Sequence, residues 1–202
     1  IKWVFLDMGS TLVDESDVYE SRCNYVISAK GLEHDEFIEK VHHAAKVSPT
    51  PIKQAAQAYG VALPEWNSSL EKLYLETEDV LKALSGKYKL GIIANQLAGT
   101  QKRLHNWGVL QYFDVVAASA EAGYEKPDLR IFKLALEQAG CNPQNAIMVG
   151  DRLENDIAPA RQLGMKTIWV RQGFAKYQSV EKECEKPDYI IENIGEIVKV
   201  LI

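Results

Sequence analysis

Six short apolar runs punctuate the 202-residue chain, with helical patterns between them. The first, Lys2 to Asp7 (KWVFLD), ends abruptly in an acid and continues as Met8-Gly9-Ser10-Thr11, the pattern of a buried parallel strand followed by a loop. The others are Lys89 to Ala94 (KLGIIA), Asp114 to Ala117 (DVVA), Ala146 to Gly150 (AIMVG), Thr167 to Val170 (TIWV) and Tyr189 to Ile191 (YII). The clearest helix is predicted over Leu129 to Ala139, where Ile131, Phe132, Ala135, Leu136 and Ala139 share one face. Asp128 is its natural N-cap and Gly140 its stop. A second helix is predicted after Asp156, with Ile157, Ala160 and Leu163 inward and Gly164 at its end. Strands alternating with helices of this length predict an α/β fold, a parallel sheet with helices on both faces. Ligands of such folds gather at the strand C-termini.

Residues 15–80 break the alternation. They hold helical patterns only: Val18 to Ala29, Phe37 to Ala45, Ile52 to Tyr59 and a weaker stretch near Leu70 to Leu75. Ser48-Pro49-Thr50-Pro51 and Gly60 to Pro64 are the turns between them. The expected organisation is an α/β core of residues 1–14 and 81–202 with an all-helical cap, residues 15–80, placed over the sheet's C-terminal edge. Such an insertion can close over a site and exclude water.

Composition narrows the partners. The chain is 47% hydrophobic and 25% charged, enough to bury a sizeable core. Its net charge of -5 comes without a run of one sign, which argues against nucleic acid and against a basic membrane face. Cys23, Cys141 and Cys184 are scattered, without the pairing of a zinc site or a disulfide framework, and fit a reducing cytosol. No apolar run approaches the roughly 20 residues of a membrane span, and the charged opening lacks a secretory core, so a cytoplasmic protein is expected.

Four positions at or just after strand ends carry candidate chemistry. Asp7 ends the first strand; a carboxylate there can attack phosphorus if the phosphoryl charge is neutralised, or can simply cap a turn. Asn95 follows the strand Gly91-Ile92-Ile93-Ala94. Lys126, in Glu125-Lys126-Pro127-Asp128, can balance Asp7 and a phosphate, or be solvated like most lysines before a proline. Gly150-Asp151-Arg152-Leu153-Glu154-Asn155-Asp156 delivers two acids at a helix start, hard oxygen ligands that suit Mg²⁺, although Asp156 alone equally reads as an acid favoured by the helix dipole.

In this order and on these elements, the four sites resemble the motifs of the haloacid dehalogenase superfamily, over nearly the whole chain. The strand-end Asp7 with Gly9-Ser10-Thr11-Leu12, the Lys126-Pro127-Asp128 string before a helix, and Gly-Asp-x-x-x-x-Asp from Gly150 to Asp156 carry the likeness. It implies a Rossmann-like core with a small helical cap, and a Mg²⁺-dependent phosphatase of a small phosphorylated metabolite acting through an aspartyl-phosphate. Asp7 is then the nucleophile and Lys126 the charge-balancing lysine. Asn95 and Lys126 meet the substrate phosphate. Asp7, Asp151, Asp156 and the main-chain carbonyl of Gly9 form the Mg²⁺ site.

The sequence departs from that pattern twice. Phosphatases of the family usually carry a second Asp two residues after the nucleophile, as acid and base; here the position is Gly9. Losing a group typically worth about 10² to 10⁴ in rate predicts slow hydrolysis of alkyl phosphates, unless Asp14 or a cap side chain supplies the proton. Ala94 stands where the family has Ser or Thr to bind phosphate, a hydrogen bond worth roughly 1.5 to 3 kcal/mol. A catalytically weakened phosphate- or metabolite-binding protein on the same fold is therefore the alternative. A dehalogenase is disfavoured by the intact acid pair, a Schiff-base phosphonate enzyme by the lack of a distinctive lysine among Lys30, Lys40, Lys46 and Lys53, and a receiver domain by the inserted cap. Tyr19, Arg22, His42, His43 and Lys46 are the cap positions that could reach the cleft or equally face solvent.

Overall fold

The computed structural model describes residues 1–202. Its main sheet has six parallel strands in the order β5-β4-β1-β6-β7-β8. These are β1 (Trp3–Leu6), β4 (Lys89–Ala94), β5 (Val115–Ala118), β6 (Ala146–Gly150), β7 (Lys166–Val170) and β8 (Tyr189–Ile191). All six apolar runs are strands of this sheet.

The alternation within each run decides which face a residue enters. On one face Val4, Leu6, Leu90, Ile92, Ile147 and Val149 pack with Val80, Leu81 and Leu84 of α4 (Thr77–Ser85) and with Ile197 of α9 (Ile197–Leu201). On the other, Phe5, Ile93, Val115 and Met148 meet Ile131, Phe132, Ala135 and Leu136 of α7 (Leu129–Gln138) and Ala160 of α8 (Ala158–Gln162). Strands covered on both faces need no polar alternation, which is why these segments read as continuous apolar runs. The Asp128 side chain accepts from the Arg130 N–H, as an N-cap should.

From β1 the sheet grows in both directions, through β4 and β5 on one side and β6, β7 and β8 on the other. The crevice outside the C-terminal ends of β1, β4 and β6 is thus the topological switch point, where doubly wound sheets bind ligands.

The three expected helices of the insertion are present, α1 (Ser16–Lys30) and α2 (His34–Ala45) with longer bounds and α3 (Pro51–Ala58) shifted by one residue. They close around their own small core of Cys23, Val26, Phe37, Val41, Ile52, Ala55 and Ala56. The stretch near Leu70 to Leu75 is not α-helical, only its start belonging to a 3-10 turn, Ser68–Leu70. It forms β3 (Lys72–Leu73), antiparallel to β2 (Val13–Asp14), with Val13 opposite Leu73 and Asp14 opposite Lys72. Two-residue strands carry no detectable period, so the hairpin had no signal. It ties the two ends of the insertion together, helped by Thr77 Oγ1 donating to the Leu12 carbonyl at 2.8 Å. The segment from Thr77 packs on the sheet rather than in the helical cluster. The cap meets the loops at the strand C-termini: Arg152 donates to the Pro49 carbonyl, and Tyr177 bonds His42. No helix is long and apolar enough to cross a membrane.

Candidate active site

Asp7 extends the β1–β6 ladder by one residue, its N–H donating to the Val149 carbonyl at 2.9 Å. That bond fixes its carboxylate at the C-terminal end of the central strand. Asp151 follows β6 directly, one strand away. Next comes a wide π-type turn, Leu153–Ile157, where an ordinary helix start was expected. Within it the Asp156 carboxylate turns back, Oδ2 accepting from the Arg152 N–H at 2.9 Å. It packs against the Cα of Gly150 so closely that no Cβ would fit there, which explains a glycine at that position.

Lys126 links these acids. Its Nζ lies 2.6 Å from Asp7 Oδ1 and 2.5 Å from Asp156 Oδ1, with only 3% of its side chain exposed. Burial alone would lower the lysine's pKa, but Asp156 and then Asp7 outweigh it and hold Lys126 firmly cationic. Burial pushes Asp7 upward against the pull of Lys126, and pushes Asp151 well above the usual carboxylate range even though Arg152 lies beside it. The Arg152 guanidinium is 3.4 Å from Asp151 Oδ2.

One oxygen each from Asp7, Asp151 and Asp156 lie within 4.8 Å of one another, all three residues buried. Crowded hard oxygen donors, too few cations to balance them and two carboxyls pushed upward by burial fit a divalent cation such as Mg²⁺. Asp156 is the most committed of the three, since one oxygen bonds Lys126 and the other Arg152.

Asn95 braces the segment that carries Lys126. Its Nδ2 donates to the Lys126 carbonyl at 2.9 Å and its Oδ1 accepts from the Lys126 N–H at 2.6 Å. Both ends of the amide thus hold the lysine backbone: a primary amide matches a peptide unit donor for acceptor, and the β4 terminus faces the segment carrying Lys126. Ala94 is fully buried in the sheet core.

Glu15 escaped the sequence reading. It precedes α1 but does not cap it. The side chain turns inward, Oε2 accepting from Tyr19 Oη at 2.5 Å and from Ser10 Oγ at 3.1 Å. Burial, assisted by the charge of Asp7, pushes its carboxyl up to about 7, against the hydrogen bonds from Tyr19 and Ser10. Ser10 adopts a left-handed φ of 54°, uncommon for a residue with a side chain, and this turns Oγ toward Glu15. The i, i+4 spacing of Glu15 and Tyr19 at a helix start was the available signal. Asp14 instead accepts from the Ser16 N–H and lies near Lys72, at the hairpin.

Of the cap candidates, Tyr19 reaches the site through Glu15, while Arg22 lies over the Trp66 ring, 5.0 Å from its centroid. His43 and Lys46 are exposed, and His42 stacks on Tyr177. Tyr19, Arg22, Trp66, Arg152 and Phe174 share the wall of a cavity of about 150 Å³ between cap and core.

A family model described as haloacid dehalogenase-like hydrolase matches residues 4–170. A glyceraldehyde 3-phosphate phosphatase of Methanothermobacter thermautotrophicus is 29% identical over 201 residues, 98% of this chain and 87% of the relative. One of the same name from Pyrococcus furiosus is 30% identical over 226 residues, covering 100% of this chain and 93% of the relative. The magnesium-bound hydrolase YfnB of Bacillus subtilis superposes with a TM-score of 0.72 at 18% identity, covering 99% of this chain and 98% of that one, a likeness of fold.

Proposed function

Since the chain belongs to the haloacid dehalogenase-like hydrolases, we propose that it is a Mg²⁺-dependent phosphatase of a small phosphorylated metabolite, working through a phosphoryl group carried on Asp7. The observation that carries this reading is the buried set of Asp7, Lys126, Asp151 and Asp156 at the switch point of the sheet. A carboxylate attacking a phosphate dianion faces charge repulsion, so the site must supply positive charge ahead of the reaction. Lys126 supplies one charge, held in place by Asn95. Mg²⁺, when bound, would neutralise the phosphoryl oxygens; Asp7, Asp151, Asp156 and the Gly9 carbonyl are the groups to hold it. Asp7 is then the nucleophile, and cleavage leaves an aspartyl-phosphate that water hydrolyses.

The names of the two archaeal relatives put triose phosphates on the substrate panel. The cap supplies the discriminating surface, with Arg22 and Arg152 offering positive charge beside Tyr19 and Trp66.

The test is a screen of phosphorylated metabolites with and without Mg²⁺, together with mass analysis for phosphate on Asp7. Metal-dependent release of phosphate and a labelled Asp7 are expected. Binding of phosphate without turnover or labelling would instead support a metabolite-binding protein on this fold. Asp151→Asn should weaken Mg²⁺ binding by at least tenfold in a calorimetric titration; an unchanged affinity would remove Asp151 from the metal site.

A further inference from the structure

We propose that Glu15 is the acid and base of the reaction, its carboxyl standing in the space left open by the absent side chain of Gly9, beside the nucleophile. A Cβ built on Gly9 would lie 2.5 Å from Glu15 Oε1 and 2.9 Å from its Oε2. The inference rests on the phosphatase reading and adds to it the group that moves the proton.

Elimination among the surrounding groups leads to the same residue. Asp7 is the nucleophile. Both oxygens of Asp156 are taken, and Lys126 is held as a cation between two carboxylates. Asp151 lies against Arg152 in the metal cluster. Tyr19 keeps its proton, because burial and then the neighbouring Glu15 raise its pKa well above 10. Glu15 remains, on the wall of a neighbouring cleft that also holds Asn95, Gln96, Ser119 and the solvent-exposed Glu125. Its hydrogen bonds to Ser10 and Tyr19 both go to Oε2, so the oxygen closest to Gly9 is the one left for substrate.

In the first step an Asp7 oxygen bonds to phosphorus and the ester P–O bond breaks. Its electron pair stays on the leaving oxygen, which takes the proton of the Glu15 carboxyl. In the second, water attacks the phosphorus of the aspartyl-phosphate and gives its proton to the Glu15 carboxylate. The bond from phosphorus to Asp7 breaks, its electron pair returning to Asp7. Phosphate leaves, Glu15 is protonated again, and the net reaction is hydrolysis of one ester bond. Slow turnover of alkyl phosphates, the expectation drawn from Gly9 alone, then gives way to turnover that depends little on the leaving group.

The experiment measures kcat/KM against leaving-group pKa, from aryl to alkyl phosphates, and the lifetime of phosphate on Asp7. Wild type should show a shallow dependence. Glu15→Gln, nearly isosteric, should show a steep one, losing about 10²- to 10⁴-fold on alkyl phosphates and far less on aryl phosphates, with phosphorylated Asp7 accumulating. Val26→Ala trims the small core of the inserted helices beneath α1 and controls for a structural role; its slope should match wild type. Gly9→Asp alone collides with Glu15, but the double variant Gly9→Asp, Glu15→Ala has room and should restore a shallow slope. That rescue keeps the proposal testable even if Glu15→Gln folds poorly. An unchanged slope and lifetime in Glu15→Gln would overturn the role of Glu15 while leaving the phosphatase reading intact. A wild type that neither turns over nor labels Asp7 would overturn both.

Discussion

Lys126 neutralises two carboxylates that folding has removed from water, so what it contributes is best seen by its removal. Replacing one partner of a buried ion pair typically costs about 3 to 5 kcal/mol, because the other charge is left uncompensated. Lys126→Met leaves both Asp7 and Asp156 in that position. The metal-free variant should therefore lose about 3 kcal/mol or more in urea unfolding, along with its activity. A loss below about 1 kcal/mol would mean that water reaches the two acids freely. The reading of Asn95 illustrates how far residue type alone extends: an amide at a strand end suits a phosphate and a peptide group equally, and only the partner across the crevice distinguishes them.

Within the strands, the close spacing of side chains produces sharper effects than propensity would suggest. Gly91 lies opposite Phe5 across the β1–β4 pair, and a Cβ there would stand 2.6 Å from the Phe5 ring. Gly91→Ala should destabilise by about 1 to 3 kcal/mol, the range for overpacking, despite the higher strand and helix propensity of alanine. An increase in melting temperature would refute that packing. The β7–β8 edge depends on Asp188, which accepts from Lys166 Nζ at 2.7 Å and from the Thr167 N–H at 2.9 Å. Burial pulls this carboxyl up, but the bonds from Lys166 and Thr167 prevail and hold it below the usual range. A depressed folded pKa means stability that is present above the unfolded value of about 3.9 and is lost as pH falls through the folded one. Asp188→Ala should cost about 1 kcal/mol near pH 7, modest because the pair is near the surface, and the gap from wild type should close below about pH 4. Unfolding curves across that range check both size and sign; a gap that widens in acid would contradict it.

At the scale of the molecule, the buried cluster of Asp7, Lys126, Asp151 and Asp156 sits at the sheet's C-terminal end, and the cavity beside it is shared with the inserted helices. The wall of the cavity between them combines cap residues, Arg22 and Trp66, with Arg152 and Phe174 from loops after β6 and β7. A second anionic group on a substrate would meet Arg22 there. Arg22→Met should lower kcat/KM about tenfold for substrates with an acidic leaving group, in line with a hydrogen bond to a charged group, and leave a neutral aryl phosphate nearly unchanged. Equal losses on both would place Arg22 in cap folding rather than in recognition, a role its bond to the Pro64 carbonyl would support.

The sequence by itself determined the six strands, the helical segments between the first two long ones, and the strand-end positions of Asp7, Lys126, Asp151 and Asp156. Apolar runs in a two-sided sheet and acids at their ends are local patterns that each stretch of chain carries alone. It did not determine how Asn95 is used, the hairpin joining Val13 to Leu73, the wide turn around Asp156 or the place of Glu15. Each of these depends on a partner brought near by folding: a peptide group across the crevice, a strand about sixty residues away, a backbone N–H within a turn, and an empty space beside a glycine. Reading position by position, Gly9 registers only as a missing carboxylate. In the folded chain the turn at Ser10 and the start of α1 bring the Glu15 carboxylate into the space a side chain at Gly9 would enter, because space around Cα, unlike residue type, is a property of everything packed against it.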